Sequence, residues 1–276
     1  MSRKTAIIGS FLALAISTAF AQKATLSAAN LTAEQVVDKN IAARGGLAAW
    51  HAVQTLSMSG KMQAGGNDTR GGALRVPGAV AESAVPRQRP VEQVQLVFRK
   101  ELKRPNKSRF ELDVNGKPST QVFDGTNGWK LRLYLNRHQV EPYTPEELKL
   151  AALEDLDGPL VDYAAKGTRI EMEGVEKVEG KDNYCLKLTF KNGDSKKLWV
   201  NTQTFLETRI EGTPRRLDGK MHTVDVYYRD YRPVSGLLMP FLQETVVQGV
   251  KQTEKIEFER VTVNPKLDDS RFAKLQ

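Results

Sequence analysis

Trp129-Lys130-Leu131-Arg132-Leu133-Tyr134-Leu135 and Tyr184-Cys185-Leu186-Lys187-Leu188-Thr189-Phe190 alternate apolar and polar residues with a period of two. Successive side chains of a β-strand point to opposite faces, so both stretches read as half-buried strands. Trp129, Leu131, Leu133 and Leu135 are expected on the buried face, with Lys130 and Arg132 on the other. Tyr184, Leu186, Leu188 and Phe190 likewise oppose Lys187 and Thr189. The pattern recurs at Phe110, Leu112 and Val114, at Val224, Val226 and Tyr228, and at Leu237, Met239 and Phe241. Asn115-Gly116, Asn192-Gly193 and Asp218-Gly219 are hairpin-turn dipeptides between such runs. About twelve strand candidates fall between residues 54 and 263, which predicts an antiparallel meander and a mainly β (α+β) chain.

Helical signals are few. Thr32-Ala33-Glu34-Gln35 has capping-box spacing and predicts a helix over 32–44, with Val36, Val37 and Ile41 as its apolar stripe, Arg44 on a basic edge, and Gly45-Gly46 as the stop. A short helical turn from Leu47 to Val53 carries Trp50. Thr144-Pro145-Glu146-Glu147 is a second capping box with proline at the first helical position, and predicts a helix to about Leu156, ended by Gly158-Pro159. Its face of Leu148, Ala151, Ala152 and Leu156 is expected to lie on the sheet. Residues 64–92, rich in Gly, Ala, Pro and Arg without periodicity, read as a long flexible loop within a single domain spanning 22–276.

The chain has 276 residues, 40% hydrophobic and 27% charged, which is enough to bury a core. No apolar run reaches the ~18 residues that a membrane span requires. Arg3 and Lys4, the apolar stretch Ala6 to Ile16, and Ala19-Phe20-Ala21 have the order of a signal peptide over 1–21, with cleavage before Gln22 and export to the periplasm. No lipid-accepting cysteine stands at that site. Two of the 41 cations leave with the leader against 33 acidic residues, a balance of +6 that favours anionic surfaces. In an exported protein this points to lipid headgroups and not to nucleic acid. Cys185, the single cysteine, forms no internal disulfide and no zinc site by itself, and reads as a packed or edge thiol.

Catalytic groupings are missing. His51, His138 and His222 stand singly, with neither HExxH spacing nor a Gly-x-Ser-x-Gly elbow, and no glycine loop has phosphate-cradling spacing. Asp155 with Asp157 and Asp268 with Asp269 sit where acidic residues cap helices and turns. The expectation is a protein that is not an enzyme and uses neither cofactor nor metal. Arg99, Lys100, Lys103, Arg104 and Lys107 flank Pro105-Asn106 at an expected hairpin tip. They read either as solvated charges that discourage edge pairing or as a lip for headgroups or an acidic partner.

A dozen antiparallel strands with one apolar face curl into a barrel or half-barrel, either filled by its own side chains or enclosing apolar space. Lys103-Arg104-Pro105-Asn106-Lys107-Ser108-Arg109, Phe123-Asp124-Gly125-Thr126-Asn127-Gly128-Trp129, Thr144-Pro145-Glu146-Glu147-Leu148, Asp157-Gly158-Pro159-Leu160-Val161-Asp162-Tyr163 and Leu267-Asp268-Asp269-Ser270-Arg271-Phe272 bear on that choice. Together, in this order, they resemble the outer-membrane lipoprotein-sorting (LolA-like) family across nearly the whole mature chain. The segment around 64–92 departs from that pattern as an insertion. The resemblance implies an incomplete barrel of about 11–12 strands, with helices forming a lid over a hydrophobic cavity.

The implied function is a monomeric periplasmic carrier for acyl chains of lipids or lipoproteins, with envelope membrane proteins as possible partners. An envelope sensor on the same fold and a small hydrolase are the competing readings. Trp129, Leu131, Leu133, Leu186, Leu188, Val226, Tyr228 and Phe241 are the expected cavity wall, under Leu148 and Ala152 of the lid helix.

Overall fold

Thr32 opens the first helix as its spacing predicts. In α1 (Ala33–Ala43) the Thr32 hydroxyl accepts from the Gln35 amide at 3.3 Å, and the Gln35 side chain accepts from the Thr32 amide at 2.9 Å. The computed structural model describes residues 31–65, 93–217 and 219–276; the expected signal peptide and residues 66–92 of the expected loop lie outside them. Gly45 follows α1 with φ +116°, and a Cβ there would stand 2.5 Å from the Gly236 carbonyl oxygen. The close approach is anchored by the Leu238 amide, which donates to the Arg44 carbonyl at 3.1 Å. After α2 (Leu47–His51) the regular structure of the described residues is mostly strand.

Fifteen strands follow in the described residues: β1 (Thr55–Gly65), β2 (Gln93–Lys103), β3 (Lys107–Val114), β4 (Lys117–Phe123), β5 (Gly128–Arg132), β6 (Arg137–Pro142), β7 (Arg169–Val178), β8 (Lys181–Thr189), β9 (Ser195–Asn201), β10 (Glu207–Glu211), β11 (Arg215–Leu217), β12 (Lys220–His222), β13 (Val224–Val234), β14 (Leu237–Val247) and β15 (Glu254–Val263). Ala64, expected in the loop, is a buried residue of β1 opposite Val94. β11 and β12 form a separate hairpin. The other thirteen make one antiparallel sheet in the order β6-β5-β4-β3-β2-β1-β15-β14-β13-β10-β9-β8-β7. It is an open sheet: β6 and β7 are its free edges, so the predicted incomplete barrel is the architecture found.

This order follows from one pairing. β1 to β6 step outward from β1 in chain order, the chain then crosses to the far edge, and β7 to β15 step back until β15 pairs with β1. Residues 143–168 therefore join the two free edges. Their helix, α3 (Pro145–Ala152), starts with the predicted capping box but stops four residues early. Beyond it the chain turns inward: Leu160 and Val161 are fully buried.

The register fixes which residues share a face. Leu56, Met58 and Met62 stand opposite Leu102, Lys100 and Leu96 on one side, and Val263, Val261 and Ile256 on the other. These belong to the concave face, which carries two joined clusters of core residues. One gathers Trp50, Leu56, Met58, Phe98, Leu112, Val161, Met239, Phe241 and Phe258; the other packs Val36 and Val37 of α1 onto Leu186, Leu188, Leu198 and Val200. Burying such side chains is worth about 1.5–3 kcal/mol each, so the helices are held chiefly by the concave face.

Carried outward, the same register corrects an expectation. Phe110 pairs with Gln121 and Gln121 with Lys130, while Leu112 pairs with Ser119 and Ser119 with Arg132. Lys130 and Arg132 thus face the concave side and are buried, whereas Trp129 and Leu131 lie half-buried on the convex side. The cations are tolerated because each meets a carboxylate. Lys130 donates to both Glu147 oxygens at 2.6 and 2.8 Å, and Arg132 pairs with Glu141. Leu133 and Leu135, expected to continue the strand, instead form a 3-10 turn over Leu133–Leu135.

Candidate functional site: an apolar cavity under an ionic clasp

Between the concave face and the crossing segment lies a cavity of about 230 Å³. Met58 and Met62 of β1, Phe98 and Leu102 of β2, Met239 of β14, and Ile256 and Phe258 of β15 supply its apolar wall. Trp50 of α2 and Leu156, Gly158 and Pro159 of the crossing segment close it. At one end the lining turns polar, with Arg44, Glu207, Tyr228 and Tyr231. A wider depression of about 760 Å³ lies on the convex side, where Arg99, Glu111, Asp113 and Arg260 set both charge signs among Val97, Phe98, Leu112 and Pro118.

The polar end is built around Arg44, at the C-terminus of α1. Its Nη1 donates to Glu207 Oε1 at 2.9 Å and to the Asp157 carbonyl at 3.3 Å, and its guanidinium sits 4.4 Å from the Trp50 ring centroid. Tyr231 donates its hydroxyl to Glu207 Oε2 at 3.1 Å. One arginine therefore ties helix, crossing segment and sheet. Burial raises the Tyr228 and Tyr231 phenols above the ordinary value, Glu207 adds to the shift, and Arg44 opposes it, so both phenols stay neutral.

A second set of ion pairs fastens the crossing segment from outside. The Asp157 carboxylate is buried and accepts from Arg104 and from Lys166, each at 2.6 Å. Desolvation pushes its pKa up, but those hydrogen bonds and charges outweigh it and hold the carboxyl below the usual range. Asp155, 3.1 Å from Lys166, is moved the other way: desolvation dominates and Asp157 adds to it. Lys100 pairs with Glu154, and His51 lies 2.7 Å from Asp162.

These contacts revise the expected cationic lip. Lys103 and Lys107 bind Asp269 at 3.0 and 2.9 Å, Arg104 and Lys100 hold the crossing segment, and Arg99 reaches Glu101 at 3.2 Å. Arg99 is the one of the five with a side chain more than half exposed. Four of the five cations thus fasten the crossing segment or the C-terminal 3-10 turn, Asp269–Phe272, where an exposed hairpin tip was expected.

The ten expected cavity residues divide by face and by cover. Tyr228 lines the cavity. Phe241 and Val226 share its concave side without reaching it, and Leu186 and Leu188 do too but are sealed beneath Val36 and Val37. Trp129 and Leu131 face outward, Leu133 lies in the 3-10 turn, and Leu148 and Ala152 sit on α3 beside β5. The segment after α3 is what covers the cavity. Cys185 packs on the convex face with Val178 and Trp199, and burial pushes its thiol up to about 12, an unreactive value.

An open antiparallel sheet curved around an apolar cavity, with helices and a crossing segment over its concave side, is the class this geometry defines. Comparison with solved structures gives the same fold. A LolA superfamily protein from Nitrosomonas europaea is 13% identical, with a TM-score of 0.53, covering 89% of this chain and 99% of that one. A DUF1329 family protein from Desulfovibrio piger is 14% identical at a TM-score of 0.54, covering 87% and 97%. A domain described as an outer-membrane lipoprotein-sorting protein, from Vibrio parahaemolyticus, is 11% identical at 0.52, covering 87% and 95%. No family model and no curated protein matches the sequence.

Proposed function

We propose that the protein is an exported carrier that holds an acyl chain of a lipid or lipoprotein in the concave cavity and moves it toward the outer membrane. The observation that carries this reading is an apolar cavity closed by a segment that buried ion pairs hold down. A shape of this kind encloses an apolar chain reversibly and needs no chemical step. The fold shared with a lipoprotein-sorting domain supports the reading, as does the signal-like leader.

At about 230 Å³ the cavity is smaller than the roughly 300–1,000 Å³ of drug-sized sites, so in this closed form it suits one short chain or part of a longer one. Transferring a CH₂ group out of water is worth about 0.8 kcal/mol, and a chain of ~16 carbons therefore carries on the order of 10 kcal/mol before ordering costs. Full enclosure would hold such cargo too firmly for release. Raising the crossing segment lowers that enclosure.

Lipids extracted from protein purified out of the cell envelope, identified by mass spectrometry, test the reading together with binding of a fluorescent fatty acid. Met58→Lys, on the cavity wall, abolishes binding while Lys187→Glu, on the convex side, leaves it unchanged. A parent protein that binds no acyl chain but co-purifies with a stable envelope partner refutes the carrier and favours a sensor on the same fold.

A further inference from the structure

The convex depression of about 760 Å³ falls within the roughly 300–1,000 Å³ of small-molecule sites, and the register explains why the sheet is hollow there. Ser57 and Ser59 alternate with Leu56 and Met58 of the concave face, so they point outward from β1, an interior strand between β2 and β15. Two small hydroxyl side chains thus stand where interior strands ordinarily carry branched or aromatic ones, and they form a low floor. One row crosses that floor over five strands, Arg260–Ser59–Arg99–Glu111–Thr120, each residue paired with the next.

Charge along the row is uneven. Glu101 is held by Arg271 at 2.6 Å and by Arg99 at 3.2 Å, and Glu111 by Arg109 at 2.6 Å. Arg260 is exposed and has no ion pair among the described residues. Neighbouring strands lie about 5 Å apart, so the Arg260 and Arg99 backbones stand about 10 Å apart on either side of Ser59. Two guanidinium forks can then meet over one hydroxyl, with a positive charge left unmatched. Phosphate suits that arrangement, because guanidinium groups take its oxygens in pairs.

A bare anion leaves the other side of the depression unexplained. Asp113 is exposed, and its Oδ1 accepts from the Gly116 amide at 2.7 Å, which leaves Oδ2 for a further donor. Thr120 adds a hydroxyl there, and Val97, 58% exposed, adds apolar surface with Pro118. A carboxylate repels phosphate but accepts from hydroxyl groups, and an apolar patch receives the C–H face of a ring. Both charge signs, hydroxyls and apolar surface together complement a sugar that carries a phosphate.

We propose that the convex depression binds a phosphorylated sugar, with Arg260 and Arg99 holding the phosphate over Ser59 while Asp113 and Thr120 take ring hydroxyls. The site lies on the opposite face of β1 from the concave cavity and does not depend on the acyl-chain reading.

Titration calorimetry of the mature chain at low salt, where screening is weakest, compares glucose 1-phosphate, inorganic phosphate and glucose. Glucose 1-phosphate binds the tightest of the three, since it alone engages both sides of the depression. Arg260→Gln weakens it about ten- to hundredfold, the value of a hydrogen bond to a charged group, and leaves the thermal midpoint unchanged because Arg260 is exposed and unpaired. Asp113→Ala weakens glucose 1-phosphate about two- to tenfold without weakening inorganic phosphate. Vesicles bearing phosphatidylinositol phosphate present the same phosphate and ring on a membrane; co-sedimentation that Arg260→Gln abolishes, without binding of glucose 1-phosphate, assigns the sugar to a lipid headgroup. Binding of neither overturns the site. Equal affinity for glucose 1-phosphate and inorganic phosphate, or full binding by Arg260→Gln, overturns it as well.

Discussion

Glu207→Leu leaves Arg44 charged and enclosed. The two side chains are 7% and 8% exposed and 2.9 Å apart, so neither regains water when its partner is lost. Removing one member of a buried pair costs about 3–5 kcal/mol, largely as the penalty on the ion left behind. For a chain of this size that lowers Tm by roughly 6–20 °C, at about 2–4 °C per kcal/mol. Arg44→Met leaves Glu207 with the Tyr231 hydroxyl and costs a similar amount. Additive behaviour would make the double variant about 6–10 kcal/mol less stable, enough to unfold most domains. The double variant instead loses no more than the worse single, because it retains neither buried charge. Urea unfolding of the four proteins gives the coupling energy, expected at about 3 kcal/mol or more, the size of the smaller single loss. Glu207→Leu within 1 kcal/mol of the parent, or additive losses, would refute the clasp.

Three further outcomes follow from the same geometry. Lys130→Ala strands buried Glu147 and destabilises by about 3 kcal/mol in urea, while Lys187→Glu stays within about 0.5; equal effects would return Lys130 to the solvent side. Asp157 has a folded pKa below the ordinary value of about 3.9, so its contribution is complete above pH 4 and disappears as pH falls through the lowered value. Asp155 acts in the opposite sense: its raised pKa makes ionisation costly as pH climbs past the ordinary value. Asp157→Asn therefore flattens the acid limb of a stability profile from pH 5 to 2, and an unchanged limb rules out the Arg104–Asp157–Lys166 pairing as its source. Gly45→Ala places a methyl against the Gly236 carbonyl at a positive φ and lowers stability by more than 1 kcal/mol in thermal unfolding; a neutral result would mean that α1 docks less closely.

Much of this architecture is legible locally. Thr32 with Gln35 and Thr144 with Glu147 form the capping boxes that their spacing announces, and Asn115-Gly116 takes the positive φ angles of a tight hairpin. Alternation separates the two faces of a strand correctly at Leu186 and Leu188. It does not say which face turns inward. At Trp129 and Leu131 that choice is made by Glu147 and Glu141, which draw Lys130 and Arg132 to the concave side. Period-two spacing also runs on through Leu133 and Leu135, where the backbone has already left the sheet.

The cavity's polar end was not legible, since Arg44 and Glu207 are 163 residues apart and each reads alone as an ordinary helix-end or turn charge. Orphaned donors such as Trp50 Nε1 exist only in three dimensions. The cationic run around Arg104 was visible, but its carboxylate partners in the crossing segment and the C-terminal turn were not.

Residues 143–168 connect the two unpaired edges of one sheet, and they do so over its hollow side. A chain of fixed length fastened at both rims acts as a drawstring: anything that swells the hollow must spread the rims, slacken the segment's packing, or break its ion pairs. The volume of the hollow is thereby coupled to how firmly its mouth is drawn shut. The edge strands β6 and β7, far from the cavity, are where such a load would be felt as strain.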